Sequence, residues 1–363
     1  MEHKKVALVL AGGGVAGVAF QIGVLRALNE AWLNRMVNDL DLYVGTSAGS
    51  YVAAYLASGI SLGKVQRFLG RETGLLGSGG PAATFFPNVS EVVEKLVFWP
   101  FTMLQAAGAM LRSRNPVEGT LRAIEEFLPS GLFDTWLMQQ HLYRNYRQFG
   151  RGSRFARLPH DLFIIATDLD NGERVVFSRE NDVPLEKAVA ASCAVPLLYR
   201  PVRIAGRDYV DGGVRGTASL DLAVEQGADL VVVVNSMVPF RNDPDVPAQR
   251  WERGEPHGHV ADRGPLAISN QVTRAAIHGG LLYHIKQIKR AHPHVNVMLI
   301  EPPINDPMLS FRNVMAYWKL DEVARHGFRV GLDFWARNEA QAREVLAQRG
   351  IEMVTRLPEP AAA

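Results

Sequence analysis

Val6-Ala7-Leu8-Val9-Leu10-Ala11-Gly12-Gly13-Gly14-Val15-Ala16-Gly17 is the stretch on which the fold turns. Val6–Leu10 is continuously apolar and rich in branched side chains, as in a strand buried on both faces of a parallel sheet. Three glycines end the run. Val18, Ile22 and Leu25 then recur at helical spacing, which predicts a helix from about Val15 to Trp32. Strand, glycine turn and helix in that order open an α/β unit.

The pattern repeats at once. Leu40–Val44 predicts a second strand, Gly45-Thr46-Ser47-Ala48-Gly49 a tight turn, and Ser50–Ala57 a helix with Gly59 placed to end it. Residues 71–90 are glycine- and proline-rich and read as loop. Residues 91–128 read as helical with breaks at Pro100 and Pro116. Leu162–Thr167 and Arg174–Phe177 read as strands around an Asp170-Asn171-Gly172 turn. Leu185–Ala194 reads as a small-residue helix stopped by Pro196, and Val202–Ile204 and Asp208–Val210 flank a turn at Gly206. Leu230–Asn235 is the clearest buried strand. A helix is predicted over Leu266–Ala291, a strand over Val295–Glu301 and helical structure over Asp321–Gln348. Strands alternating with helices predict a three-layer α/β/α sandwich with a mostly parallel central sheet. No clean domain boundary shows. The expected organisation is a catalytic core over 5–237, a mobile polar loop over 238–265, and elements over 266–355 that complete the same domain.

Composition narrows the function classes. The chain has 363 residues, 47% hydrophobic and 21% charged, enough to bury a sizeable core. A formal net charge of +2 argues against nucleic-acid binding driven by overall charge. Cys193, the single cysteine, excludes an internal disulfide and fits a reducing compartment. It sits in a small apolar run and reads as a buried packing residue. The opening residues enter the first strand directly, without the apolar core of a signal peptide, and no uninterrupted stretch would span a bilayer. The expected location is therefore cytoplasmic, with peripheral contact at the inner membrane face.

Gly12-x-Gly14-x-x-Gly17 after a strand also fits a dinucleotide fingerprint. Both a pyrophosphate and a tetrahedral oxyanion can use backbone N–H groups at a helix N-terminus. A dinucleotide site would place an acidic residue at the end of the second strand. Here that strand ends in Gly45-Thr46-Ser47, and Asp39 and Asp41 precede it. The reading therefore shifts to an oxyanion hole at this glycine turn.

Gly45-x-Ser47-x-Gly49 is a nucleophile-elbow pattern. Glycines on either side let a strand turn sharply into a helix with the serine at the bend. The plainer reading is Ser47 as a helix N-cap. A serine nucleophile needs a base. His160, His257, His259, His278, His284, His292, His294 and His326 all follow Ser47 and stay eligible. So does Asp211, which opens Asp211-Gly212-Gly213 after a short strand, although Asp-Gly is also a common turn. His257 and His259 lack further ligands at metal spacing, so no metal is expected. No cofactor is expected either.

The three motifs together resemble the patatin-like phospholipases. The likeness rests on the glycine turn at 12–17, Gly-Thr-Ser-Ala-Gly at 45–49 and Asp-Gly-Gly at 211–213, in matching order. Between them, Ala166-Thr167-Asp168 with Asn171-Gly172-Glu173, and Ala191-Ser192-Cys193-Ala194-Val195-Pro196, resemble the family too. The resemblance spans about residues 5–237. It implies a Ser47–Asp211 dyad acting on a lipid ester without metal, with the Gly12–Gly14 turn binding the oxyanion and Gly17, Gly45, Gly49, Gly212 and Gly213 shaping the turns. Ala16 departs from the pattern, since the family often carries Arg or Lys there. Thr217-Ala218-Ser219-Leu220 lacks the usual Asn and Pro. From about Met237 onward no motif is recognisable. A non-catalytic lipid- or nucleotide-binding protein of the same fold and a lipid acyltransferase are the competing functions.

Leu96–Leu111 carries Val97, Phe98, Trp99, Phe101, Met103 and Leu104, followed by Arg112 and Arg114. Residues 96–111 therefore read either as an interfacial membrane contact or as a buried helix capping the site. The sequence alone sets no oligomeric state.

Overall fold

The computed structural model describes residues 4–70, 86–112, 128–148, 150, 152–216, 218–241, 259–304, 306, 308–309 and 320–355. The two predicted opening units are present. β1 (Lys5–Leu10) leads into α1 (Gly14–Ala31), and β2 (Leu42–Thr46) into α2 (Ala48–Ala57). After them come α3 (Leu62–Gly70), β3 (Phe86–Pro87), α4 (Val89–Arg112), β4 (Gly131–Asp134) and α5 (Trp136–Gln148). Next are β5 (Asp161–Asp168), β6 (Arg174–Phe177), α6 (Leu185–Ser192), β7 (Leu197–Tyr199), β8 (Val202–Ile204) and β9 (Arg207–Asp211). The chain continues through α7 (Leu220–Glu225), β10 (Ala228–Val234), α8 (Pro265–Ala291), β11 (Asn296–Ile300), α9 (Leu320–Arg337) and α10 (Glu339–Ala347).

The main sheet runs β11-β10-β1-β2-β5-β9-β8, with β6 also paired to β5. The strands from β11 to β5 are parallel, and β6, β9 and β8 are antiparallel. A smaller sheet joins β3, β4 and β7. The continuous apolar run of β1 has its explanation in the side-chain alternation of a strand. Val6, Leu8 and Leu10 enter one core with Ile22, Leu25, Val52 and Val323. Ala7, Val9 and Ala11 enter the other with Leu220, Ala223, Leu281 and Ile285. Two cores on opposite faces of one mostly parallel sheet make a three-layer α/β/α sandwich.

α1 is buried almost all round because α9 covers the face turned from the sheet. The helices meet backbone to backbone. A Cβ on Gly23 would sit 2.0 Å from the Ala324 carbonyl oxygen, and one on Gly327 2.2 Å from that of Phe20. After α10 the chain returns to the end of α1, where Val354 N–H bonds Ala31 C=O and Leu33 N–H bonds Glu352 C=O.

One element expectation needs correction and two are refined. α4 runs through Pro100 without ending; the proline removes one backbone bond, which a helix of 24 residues tolerates. The stretch 321–348 is helical as expected and divides into two helices at Asn338, whose φ and ψ of −114° and 16° are not helical. Within the polar segment, Val260–Arg263 forms a 3-10 turn capped reciprocally by His259 and Asp262. The rest of that segment, 242–258, and the second proline break at Pro116 lie outside the described residues.

The Gly327 contact gives a direct test. Gly327→Val should cost on the order of 2–3 kcal/mol and lower the urea midpoint. Gly279 is exposed on α8, with open space where a methyl group would project. Gly279→Ala should raise stability by roughly 0.5–1 kcal/mol.

Candidate active site

In a parallel sheet every strand-to-helix turn opens at the same edge, and ligands collect there. β1 and β2 are neighbours with Leu10 opposite Gly45, so the glycine turn and the Ser47 turn lie side by side. Their spacing is set by Gly49, whose Cβ would meet the Leu10 carbonyl oxygen at 2.0 Å. Only glycine lets the first turn of α2 rest on the end of β1. A Cβ on Gly17 would stand 2.9 Å from Ser236 Oγ, too close without a shift, and 3.6 Å from the Ala48 Cβ.

Ser47 has φ 53° and ψ −124°, one of three non-glycine residues with positive φ among those described. Such a conformation costs about 1–3 kcal/mol and persists only where its surroundings hold it. They do so at both backbone groups. Ser47 N–H donates to Ser192 Oγ at 2.8 Å. Its carbonyl accepts from Ser50 Oγ at 2.6 Å, Ser50 N–H at 2.9 Å and the Cys193 thiol at 3.2 Å. The Ser47 side chain does not cap α2, which sets aside the plain N-cap reading.

β5 carries the connection to Asp211. Ile165 pairs with Thr46 on β2, and the next residue, Ala166, pairs with Asp211 on β9. The backbone of Asp211 is fixed by N–H donation to Ala194 C=O at 2.9 Å and by Thr167 Oγ1 donating to its carbonyl at 3.1 Å. Its Oδ1 accepts from Gly213 N–H at 2.7 Å. Burial pushes the Asp211 carboxyl up to about 6, opposed by the Ser47 hydroxyl and the Gly213 N–H, which favour the charged form. Ser47 thus lies within reach of the carboxylate, while Oδ2 is buried without a well-aligned bond. Such bonds are often loose before substrate arrives.

The glycine turn is itself held from below. Ser236 Oγ donates to Gly12 C=O at 3.3 Å, and Gln21 Nε2 to Ala11 C=O at 2.6 Å. A Cβ on Gly13 would fall 2.1 Å from Ser236 Oγ. No side chain caps the N-terminus of α1 at Gly13, and the first N–H groups of a helix have no partner within the helix.

Among the described residues no histidine hydrogen-bonds Ser47 or Asp211. His278 pairs with Glu301 at 3.2 Å, at the edge of β11, three strands and roughly 14 Å from β2. His326 pairs with Asp306, His284 stands 3.7 Å from Asp221, and His160 stands 3.9 Å from Asp39. The His292 and His294 rings meet edge to face, 6.0 Å between centroids. His257 lies outside the described residues. Among the described residues no group of three or more His, Cys, Asp or Glu is arranged to hold a metal ion.

Sequence reasoning passed over Ser192, Cys193, Ser236 and Gln21 as site residues. Ser192 and Cys193 stood in a run already noted as family-like. Their hydrogen bonds span 145 and 146 residues, which no local pattern exposes. Burial pushes the Cys193 thiol up to about 12, so it is a donor here and not a nucleophile.

The family model for patatin-like phospholipase matches residues 8–224, from β1 through α7. The chain belongs to the patatin-like phospholipase family. The uncharacterized protein YqhO of Bacillus subtilis is 25% identical over 223 residues, 57% of this chain and 62% of that protein. Lysophospholipase NTE1 of Phaeosphaeria nodorum is 40% identical over 72 residues, 19% of this chain and 4% of that protein. The chain thus matches less than two thirds of the length of either relative. Among solved structures, VipD from Legionella pneumophila aligns at 14% identity and a TM-score of 0.38, over 93% of this chain and 67% of that one. The type III effector ExoU aligns at 17% and 0.36, over 93% and 53%.

The raised Asp211 carboxyl has a consequence for stability. Its folded value lies above the ordinary 3.8, so ionising it costs the fold. The native state carries no such cost below about pH 4 and loses stability as pH rises through about 6. Asp211→Asn removes the charge and keeps an acceptor for Gly213. Its stability relative to wild type should therefore rise by on the order of 2–3 kcal/mol between pH 4 and pH 7. Paired urea titrations at the two pH values read this directly, and equal gaps at both would contradict it.

Proposed function

We propose that this protein is a serine hydrolase of lipid acyl esters, with Ser47 as nucleophile and Asp211 as its base. The observation that carries the reading is the strained Ser47 backbone beside a buried carboxylate raised to about 6. Family membership supports the substrate class.

In the proposed cycle Ser47 Oγ attacks the ester carbonyl carbon while its proton passes to Asp211. The negative charge on the former carbonyl oxygen faces the Gly12–Gly14 turn. Ser47 N–H is already engaged by Ser192, which favours the uncapped start of α1 as the donor set. Collapse of the adduct expels the alcohol, which takes the proton from Asp211 and leaves an acyl-serine. Water then gives its proton to Asp211 and attacks the acyl carbon. The second adduct releases the fatty acid, and the proton returns to Ser47. A carboxyl near 6 is ionised at neutral pH and still basic enough to accept a proton in the transition state.

For membrane contact the reading assigns α4. Val93, Val97, Phe101 and Leu104 recur at helical spacing along it and are 51–72% exposed. These side chains do not fit the alternative of a buried cap. A helix face of this kind suits the headgroup–acyl boundary of a bilayer. Among the described residues no helix is long and apolar enough to cross a membrane.

Ser47→Ala and Asp211→Asn should each lower hydrolysis of a lipid panel by roughly a thousandfold or more in folded protein. A fluorophosphonate probe should label wild type at Ser47 and leave Ser47→Ala unlabelled. Wild-type kcat/KM should fall below pH 6, since Asp211 must be ionised. Activity retained in either variant would refute the dyad. A Val97→Asp, Phe101→Asp double variant should lose binding to phosphatidylcholine–phosphatidylglycerol vesicles while hydrolysing a water-soluble ester at the wild-type rate. Unchanged vesicle binding would reject the role of α4.

A further inference from the structure

Three consecutive residues at the end of α6 touch both halves of the site. Ser192 Oγ accepts the Ser47 N–H at 2.8 Å and donates to Ile165 C=O at 2.6 Å. The Cys193 thiol donates to Ser47 C=O at 3.2 Å. Ala194 C=O accepts the Asp211 N–H at 2.9 Å. Ser192 is fully buried. Ser47 lies on β2–α2 and Asp211 on β9; no ladder joins those strands, because β5 runs between them. The 192–194 segment bridges the gap.

We propose that Ser192-Cys193-Ala194 is a positioning clamp that sets the distance between Ser47 and Asp211, with Ser192 as its key residue. The inference rests on the dyad reading of the proposed function. A hydroxyl is the group the site calls for, since it must accept from Ser47 and donate to Ile165 at once. Alanine leaves a buried N–H and a buried C=O unpaired, and the Ser47 backbone then has no restraint on its amide side. Methyl-sized errors in placing a nucleophile act on rate rather than on substrate affinity. Cys193 works in the same direction with a weaker donor.

The test compares Ser192→Ala, Cys193→Ala and Cys193→Ser with wild type in the full chain, reading kcat, KM, probe-labelling rate and urea midpoint. Ser192→Ala should lower kcat and labelling by roughly 10- to 100-fold, with KM within about twofold. Cys193→Ala should lower both by several-fold. Cys193→Ser keeps a donor and should recover most of the loss. Wild-type kcat in folded Ser192→Ala, or a loss in Cys193→Ala that Cys193→Ser does not recover, would overturn the clamp. A rise in KM that accounts for the whole effect would do the same. If Ser192→Ala fails to fold, the two Cys193 variants decide the matter. Failure of the dyad reading itself has a separate signature, namely activity retained in Ser47→Ala or Asp211→Asn.

Discussion

The positive φ of Ser47 is the constraint on which the site depends. A serine in that conformation is unfavourable by about 1–3 kcal/mol, and its own side chain does not cap the helix that follows. The repayment comes from neighbours. α2 starts immediately after the bend, so its first turn accepts the strained residue at its N-terminal end. Gly49 allows that turn to lie against the end of β1. Ser50, Ser192 and Cys193 bond the Ser47 backbone on both sides. Removing any one leaves the bend less fully determined, and in the proposed dyad it is this bend that would aim the hydroxyl at the carboxylate.

From that bend the rest of the site follows by sheet register. The parallel order of β1 and β2 puts two strand-to-helix turns at the same edge. One turn presents the hydroxyl and the other presents uncapped N–H groups. The antiparallel β9 enters from the other side of β5, so that its last residue, Asp211, arrives at the same edge from the opposite direction. The 192–194 segment spans the strand between the two motifs.

What the sequence made legible is what local chemistry dictates. β1 and β10 are runs of branched side chains that only a strand buried on both faces would carry, and both lie where expected. The bend at Ser47 could be foreseen because Gly45 and Gly49 flank it. The glycine turn was ambiguous between a phosphate and an oxyanion, since both use the same backbone groups. Histidine could not be dismissed as the base, because its separation from Ser47 depends on which strands pair, and spacing carries no register. The family likeness brought Asp211 forward; register sets it on β9 opposite Ala166, and it is buried. The proline at 100 misled because a ring inside a helix removes one bond without ending a long helix. Ser192 and Ser236 were invisible for a different reason: each acts on a turn that is adjacent only after the sheet has formed.

Burial explains how a carboxylate could take the part that the histidine alternatives would have filled. An exposed aspartate ionises near 4 and is too weak a base to draw a proton from serine at neutral pH. Desolvation raises it to about 6, into the range where histidine works. The two stabilising contacts, from Ser47 and from Gly213 N–H, keep the shift moderate, so the group remains charged at pH 7. The same desolvation suits an apolar substrate. In the proposed reaction, an acyl chain occupying the site would exclude water further and raise the basicity of Asp211. A fatty acid released at neutral pH would become an anion beside a re-ionised carboxylate, and their repulsion in a low-dielectric setting would favour departure. On this reading a buried aspartate both activates the serine and discourages retention of the acid product, which an imidazole returning to its neutral form would not do.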